Sequence, residues 1–318
     1  MLPRKIVGVT LAALLGLILV PAMAAPSPDG SGAEDDSKWL LGNSEVVFKL
    51  NIKQIMGSEL LKAFGGVDAI KEAIKSNEQA KAILDSVGLD VTKDVDAIIA
   101  SGSGTDPKNA KMRLVVRGRF DREKVEAAMK KEAKIKASKE GSINLYEMAA
   151  NDQTLFAAFA NDNTLVVTES KESTVESVKA GGKKAPAVSK EMKAALSKFS
   201  GKESMSMVMV VNDDMRQKIA AAPRVGEAAS KLQTLTASIT VTDNVELAIR
   251  GITGDAKAAG QLGKLLEGLK AAAALAGDDV PKAALDIVDA LKVASDKDSV
   301  KIDLKVTKEM IEKAAKGG

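Results

Sequence analysis

Hydrophobic and charged residues alternate one for one near the end of the chain, where Val300, Ile302, Leu304 and Val306 are separated by Lys301, Asp303 and Lys305. A period of two places the apolar side chains on one face of an extended strand. Apolar and β-branched runs bounded by turn residues predict further strands at 45–51, 98–102, 114–116, 143–148, 154–160, 164–168 and 205–211, with Asn-Asp turns at 151–152 and 161–162. Elsewhere the period is helical. Ile55, Leu60, Leu61 and Phe64, then Val67, Ile70 and Ile74, then Ala80, Ile83, Leu84 and Val87 predict two or three short helices, the last ended by Gly88. Asp121 is suited to cap a helix through Val125 and Met129, and Ser173 with Glu176 has capping-box spacing. A helix is predicted from Ser189 to Lys198. Ala258, Leu262, Leu265, Leu266 and Leu269 mark a long helix, another starts near Pro281 and runs through Ile287 and Leu291, and a terminal one opens at Thr307.

Part of this pattern occurs twice. Ile98–Met129 reads as strand, turn, strand, helix, and Thr236–Leu266 reads the same way. Aligning Met112–Asp121 with Val245–Gly254 pairs Leu114 with Leu247, Arg117 with Arg250 and Gly118 with Gly251. Ala100-Ser101 then falls opposite Ala237-Ser238 if the second turn is four residues shorter. The strands ahead of these units both end in Asn, at Asn51 and Asn212, with one helical hairpin fewer in the second interval.

Both halves run strand, helix, hairpin, helix, strand, helix. The fold class this implies is α+β: two related domains from an internal duplication, each an antiparallel sheet with helices packed on one face. The boundaries are 1–24 for an export signal, 25–43 for a flexible leader whose Trp39 docks on the first domain, 44–180 for that domain, 181–199 for a Gly-, Pro- and Lys-rich linker with a connecting helix, and 200–318 for the second domain. A cleft between the domains is the expected place for a ligand.

The first residues change the setting. Arg4 and Lys5 precede an uncharged apolar run from Ile6 to Val20 and the small-residue site Ala22-Met23-Ala24, the layout of a removable signal peptide, which places the mature chain in the periplasm or outside the cell with no membrane span. Its removal lowers the net charge from +3 to +1, too near neutral to steer nucleic acid or an anionic membrane. With no cysteine, neither a disulfide nor a lipidated N-terminal Cys is available.

The chain also has no histidine, which removes the commonest general base, the usual transition-metal ligand and every Ser-His or Cys-His pair. No cofactor is implied. Gly102-Ser103-Gly104 follows a strand but precedes another strand and not a helix, so it reads as a hairpin turn instead of a phosphate loop. The carboxylates at Asp94 and Asp96, Asp213 and Asp214, Asp278 and Asp279, and Asp296 and Asp298 read as caps and solvated turns. Lys130, Lys131, Lys134, Lys136 and Lys139 form a basic cluster without interleaved aromatics, the pattern of a solvated helix end. Arg117 and Arg250, each before a glycine at a strand end, are the candidate ligand or partner contacts; the alternative is two edge arginines packing their stems on neighbours.

Leu84, Gly88, Leu89, Asp90, Lys93, Asp94, Val95 and Asp96, leading into a small-residue strand, resemble a segment of exported bacterial proteins built of repeated α+β modules. Those proteins have no assigned activity, so the resemblance implies a modular fold and no catalytic residues, and the second half lacks the segment. The function expected from the sequence is a non-catalytic binding or protein-interaction module of the cell envelope. The alternatives are a carrier or chaperone for apolar ligands, lined from the helix at Leu262–Leu269, and a hydrolase lacking His and Cys.

Overall fold

The structure is a computed structural model that describes residues 36–76, 89–104, 110–150, 153–183, 187–221, 229–274 and 282–316. The strands are β1 (Val46–Asn51), β2 (Val95–Ser103), β3 (Lys111–Gly118), β4 (Ile135–Glu140), β5 (Ile143–Ala150), β6 (Gln153–Asn161), β7 (Thr164–Thr168), β8 (Met205–Val210), β9 (Thr234–Val241), β10 (Val245–Ile252), β11 (Lys292–Asp296) and β12 (Ser299–Val306). They form one antiparallel sheet in the order β11-β12-β10-β9-β8-β1-β2-β3-β7-β6-β5-β4. The fold is α+β with a large antiparallel sheet. Where the sequence predicts two sheets there is one, because β1 and β8 pair with each other, Val46 opposite Met209 through Leu50 opposite Met205.

The helices are α1 (Ile52–Gly57), α2 (Glu59–Ala63), α3 (Gly66–Ser76), α4 (Val91–Asp94), α5 (Arg122–Lys131), α6 (Lys171–Ala180), α7 (Lys190–Leu196), α8 (Asp213–Ala220), α9 (Ala256–Ala274), α10 (Lys282–Ala290) and α11 (Lys308–Lys316). Asn51 and Asn212 cap the helices that follow their strands, accepting from Gln54 N at 2.5 Å and Met215 N at 2.9 Å. Asp121 caps α5, as predicted. The cap of α6 is Ser170 and not Ser173: the Ser170 hydroxyl accepts from Ser173 N at 3.1 Å, because Thr168 ends the strand only two residues earlier. The predicted helix over 80–87 and the start near Pro281 lie outside the described residues.

Cover on one face is also corrected. Every residue of β7 is buried, so both faces of the sheet are covered there. On one face Val47, Ile99, Val115, Val166 and Val208 meet Trp39, Leu40 and the α7 residues Met192 and Ala195. On the same face, further along, Val175 and Val178 of α6 pack near Leu145 and Ala158. On the other, Leu165, Val167, Phe159 and Tyr146 pack under Val125 and Met129 of α5. The N-terminal turn is tied down by polar contacts as well: Lys49 Nζ lies 2.7 Å from Asp36, Arg113 donates to the Leu40 carbonyl at 2.8 Å, and Leu41 N donates to Ser101 Oγ at 2.8 Å. Trp39 therefore docks as the sequence suggests.

The ladder differs from the register that the predicted alignment implies. Leu114 pairs with Ala100 on β2 and Leu247 with Ile239 on β9, so an alignment of Leu114 with Leu247 would set Ala100 against Ile239 and not Ala237. The second turn is six residues shorter instead of four, since 14 positions separate Ala100 from Leu114 and 8 separate Ile239 from Leu247.

Candidate functional site

Two rows of side chains cross the sheet on the face that carries α5. One runs Ile302, Ile249, Ala237, Met207, Phe48, each opposite the next on the neighbouring strand, and continues to Ala100, Leu114 and Val167. The other runs Leu304, Leu247, Ile239, Met205, Leu50 and continues to Ile98, Val116 and Leu165. Strand alternation makes both rows apolar, since β10 and β12 put their charged residues on the opposite face and β8 and β9 carry none.

Burial changes along the rows. Where they reach α5, Val167 is 8% and Leu165 7% exposed. Across β1, β8, β9, β10 and β12, nine of the ten side chains are partly exposed and only Met205, at 4%, is buried. None of the buried core clusters includes a residue of β9, β10, β11 or β12. The helical side chains of this half are equally open. Leu285, Ile287 and Val288 of α10 and Met310 and Ile311 of α11 are partly exposed, and Leu269 of α9 is 47% exposed. The helix at Leu262–Leu269 divides: Leu262 is buried over β11 and β12, with Gly263 against Ser295 and Val300, while Leu269 is open.

Across β10, β11 and β12 the opposite face is a lattice of paired charges, with Lys305 Nζ 2.6 Å from Glu246, Arg250 2.5 Å from Asp303 and Lys301 3.6 Å from Asp296. Arg250 belongs to this lattice and also donates to the Ile302 carbonyl at 3.1 Å. Arg117 lies 3.0 Å from Asp36, beneath the N-terminal turn, with its side chain 12% exposed. The two arginines do not converge, because β10 and β3 are separated by β9, β8, β1 and β2, about 24 Å at roughly 4.8 Å per strand.

The other singled-out groups are engaged locally. Asp94 accepts from Asp90 N at 2.8 Å, Asp96 lies 3.7 Å from Lys53 and Asp213 lies 2.7 Å from Arg216. Asp278 and Asp279 lie outside the described residues. Gly104 N donates to Glu45 Oε2 at 2.8 Å. Two of the clustered lysines form ion pairs, Lys136 with Glu147 at 2.6 Å and Lys130 with Glu126 at 3.8 Å; Lys131 ends α5, Lys134 lies in the turn that follows and Lys139 on strand β4. Among the described residues no three His, Cys, Asp or Glu side chains are placed to hold a metal ion.

The one buried acid among the described residues, Glu126 on α5, is 7% exposed and accepts from Arg122 Nε at 3.0 Å and Asn144 Nδ2 at 2.5 Å. Burial raises its pKa, but the bonds from Arg122 and Asn144 outweigh that and hold it below its ordinary value of 4.5. Burial, aided by this carboxylate, pushes the Tyr146 phenol well above its usual range. A depressed folded pKa contributes stability above the unfolded value that is lost as pH falls through the folded one. Stability should therefore decline below about pH 4.5, and Glu126→Gln should flatten that acid limb in urea melts run from pH 7 to pH 3. An acid limb unchanged in the variant contradicts this assignment.

No protein-family profile matches the chain, and no curated protein does. Solved structures do. Crystal form III of TP0453 superposes with a TM-score of 0.54 at 10% identity, covering 90% of this chain and 98% of that one. Form IV gives 0.54 at 10% identity over 89% and 96%, and form I gives 0.51 at 10% identity over 90% and 98%. At this identity the likeness is one of fold.

Proposed function

We propose that this chain is an exported, non-catalytic binding protein of the bacterial cell envelope, and that it holds an apolar chain, such as the acyl chain of a lipid, against the half-open sheet face of its second half. The observation that carries this reading is the pair of apolar rows across β12, β10, β9, β8 and β1, with nine of ten side chains partly exposed. Contiguous apolar surface of this kind is unusual on a soluble protein and marks a binding site. Methionine at Met205, Met207 and Met209 suits a surface that must fit flexible ligands. Among the described residues no helix is long and apolar enough to cross a membrane.

In this reading the halves are related units that arose by duplication. Support comes from the matched strand orders β1-β2-β3-β7-β6 and β8-β9-β10-β12-β11, and from Arg117-Gly118 and Arg250-Gly251 at equivalent places on β3 and β10. The first unit covers its rows with α5; the second, with α9 over β11 and β12, leaves its rows half-open.

The test is binding of a fluorescent long-chain fatty acid to mature protein. Ile249→Glu, which places a charge in the middle of one row, should weaken binding at least tenfold, the cost of burying an uncompensated carboxylate. Glu246→Gln, on the opposite face, should leave it unchanged. No saturable binding to the native chain, or equal binding by both variants, would sink the reading.

A further inference from the structure

β11 is one end of the sheet, and among the described residues no strand lies beside its outer edge. It closes on β12 through the two-residue turn Lys297-Asp298, so the main-chain groups of Asp296 and Ser299 face each other. Alternation along an antiparallel ladder then directs the groups of Lys292, Ala294 and Asp296 towards β12 and those of Val293 and Ser295 outward. Lys292, Ala294, Ser295 and Asp296 are all exposed.

A second β11 fits this edge in a symmetrical register about Ala294. Val293 then faces Ser295 of the second copy, and Ser295 its Val293, so the outward N–H and C=O groups of both strands pair. The same register sets Lys292 opposite Asp296 of the second copy, twice, on the charged face of the sheet. Lys292 has no ion pair among the described residues, and the Asp296 pair with Lys301 is a long one, at 3.6 Å. The far edge differs: β4 carries Lys136 and Lys139, Lys136 is held by Glu147 and Glu140 by Lys171, and edge lysines of this kind discourage strand pairing.

The helix over the same edge follows the same symmetry. Ser295 Oγ donates to the Ala259 carbonyl at 3.2 Å and Lys270 Nζ to the Leu291 carbonyl, so α9 lies along β11 and runs antiparallel to it. A two-fold axis at Ala294 sets the two α9 helices on the same face of the joined sheet.

We infer that β11 is the seam of a homodimer in which two copies of this sheet join edge to edge. Sedimentation of the mature chain between about 1 and 100 µM should show a dimer. Lys292→Glu places like charges opposite each other at both symmetrical positions and should weaken the dimer about tenfold or more. Adding Asp296→Lys to that variant restores opposite charges and should restore association. Ser295→Pro removes an outward N–H that the β11–β12 ladder does not use and should give a monomer with an unchanged circular dichroism spectrum. A native chain that stays monomeric overturns the inference, as does a dimer indifferent to Lys292→Glu and Ser295→Pro.

Discussion

Trp39→Ala destabilises the folded chain by about 3–5 kcal/mol, the usual cost of removing a buried aromatic side chain. Trp39 is 4% exposed and packs in the cluster formed by Leu40, Val47, Ile99, Val115, Val166 and Met192, which joins β1, β2, β3 and β7 to α7. Gly182, at φ 65°, belongs to the same fit, since a Cβ there would lie 2.8 Å from the indole ring. Trp39 Nε1 has no hydrogen-bond partner among the described residues, so the site bears an unpaired buried donor there. Trp39→Phe should consequently cost well under half as much as Trp39→Ala, because it keeps most of the packing and removes that donor. Urea denaturation followed by circular dichroism measures both. Equal losses for Phe and Ala, or a loss for Ala under about 1 kcal/mol, would show that the N-terminal turn is not part of the core.

Gly118→Ala is the second large effect, about 3 kcal/mol or more, at the upper end of the usual cost of overpacking. A Cβ at Gly118 would sit 2.0 Å from the Asp94 carbonyl oxygen, a backbone atom that cannot step aside without disturbing the bond it accepts from Arg119 N at 2.8 Å. The register shift between Val95 and Ala97 lies opposite, so the close approach is built into how β2 enters the sheet. Gly251, the matched position, would meet the tip of the Leu232 side chain at 2.7 Å, which can rotate, and Gly251→Ala should cost clearly less. Thermal melts of the two variants decide the matter, and a Gly251→Ala change as damaging as Gly118→Ala would refute the steric account.

Strands with strict alternation were legible, and so was the strand-end Asn pair, because both signals are local. Ser173 was a misleading cap because capping-box spacing is satisfied there while the geometry is set by where β7 stops. β4 was not legible: Ile135-Lys-Ala-Ser-Lys-Glu140 is exposed at four of its six positions, so no hydrophobic period marks it. β11 was missed for the same reason, as a short edge strand after a helix. The union of both halves in one sheet left no trace either, since main-chain pairing of β1 with β8 asks nothing of side-chain identity. Arg117 and Arg250 lie on β3 and β10, and their acid partners, Asp36 and Asp303, come from segments that no spacing rule connects to them. Of the half-open rows only the part on β12 was visible as alternation, at Val300, Ile302, Leu304 and Val306; that the rows stay half-open depends on how far the helices reach, which is a property of the assembled layers.

The pairing of β1 with β8 has a mechanical consequence. The sequence suggested a cleft between two domains, but along that midline the chain has a ladder from Val46–Met209 to Leu50–Met205. Swinging one half away from the other would tear those bonds, whereas the side chains of α10 and α11 are already half-open to solvent. The sheet is therefore a stiff floor, and in the proposed reading a guest would enter by displacing the helices above it and not by a hinge between the halves.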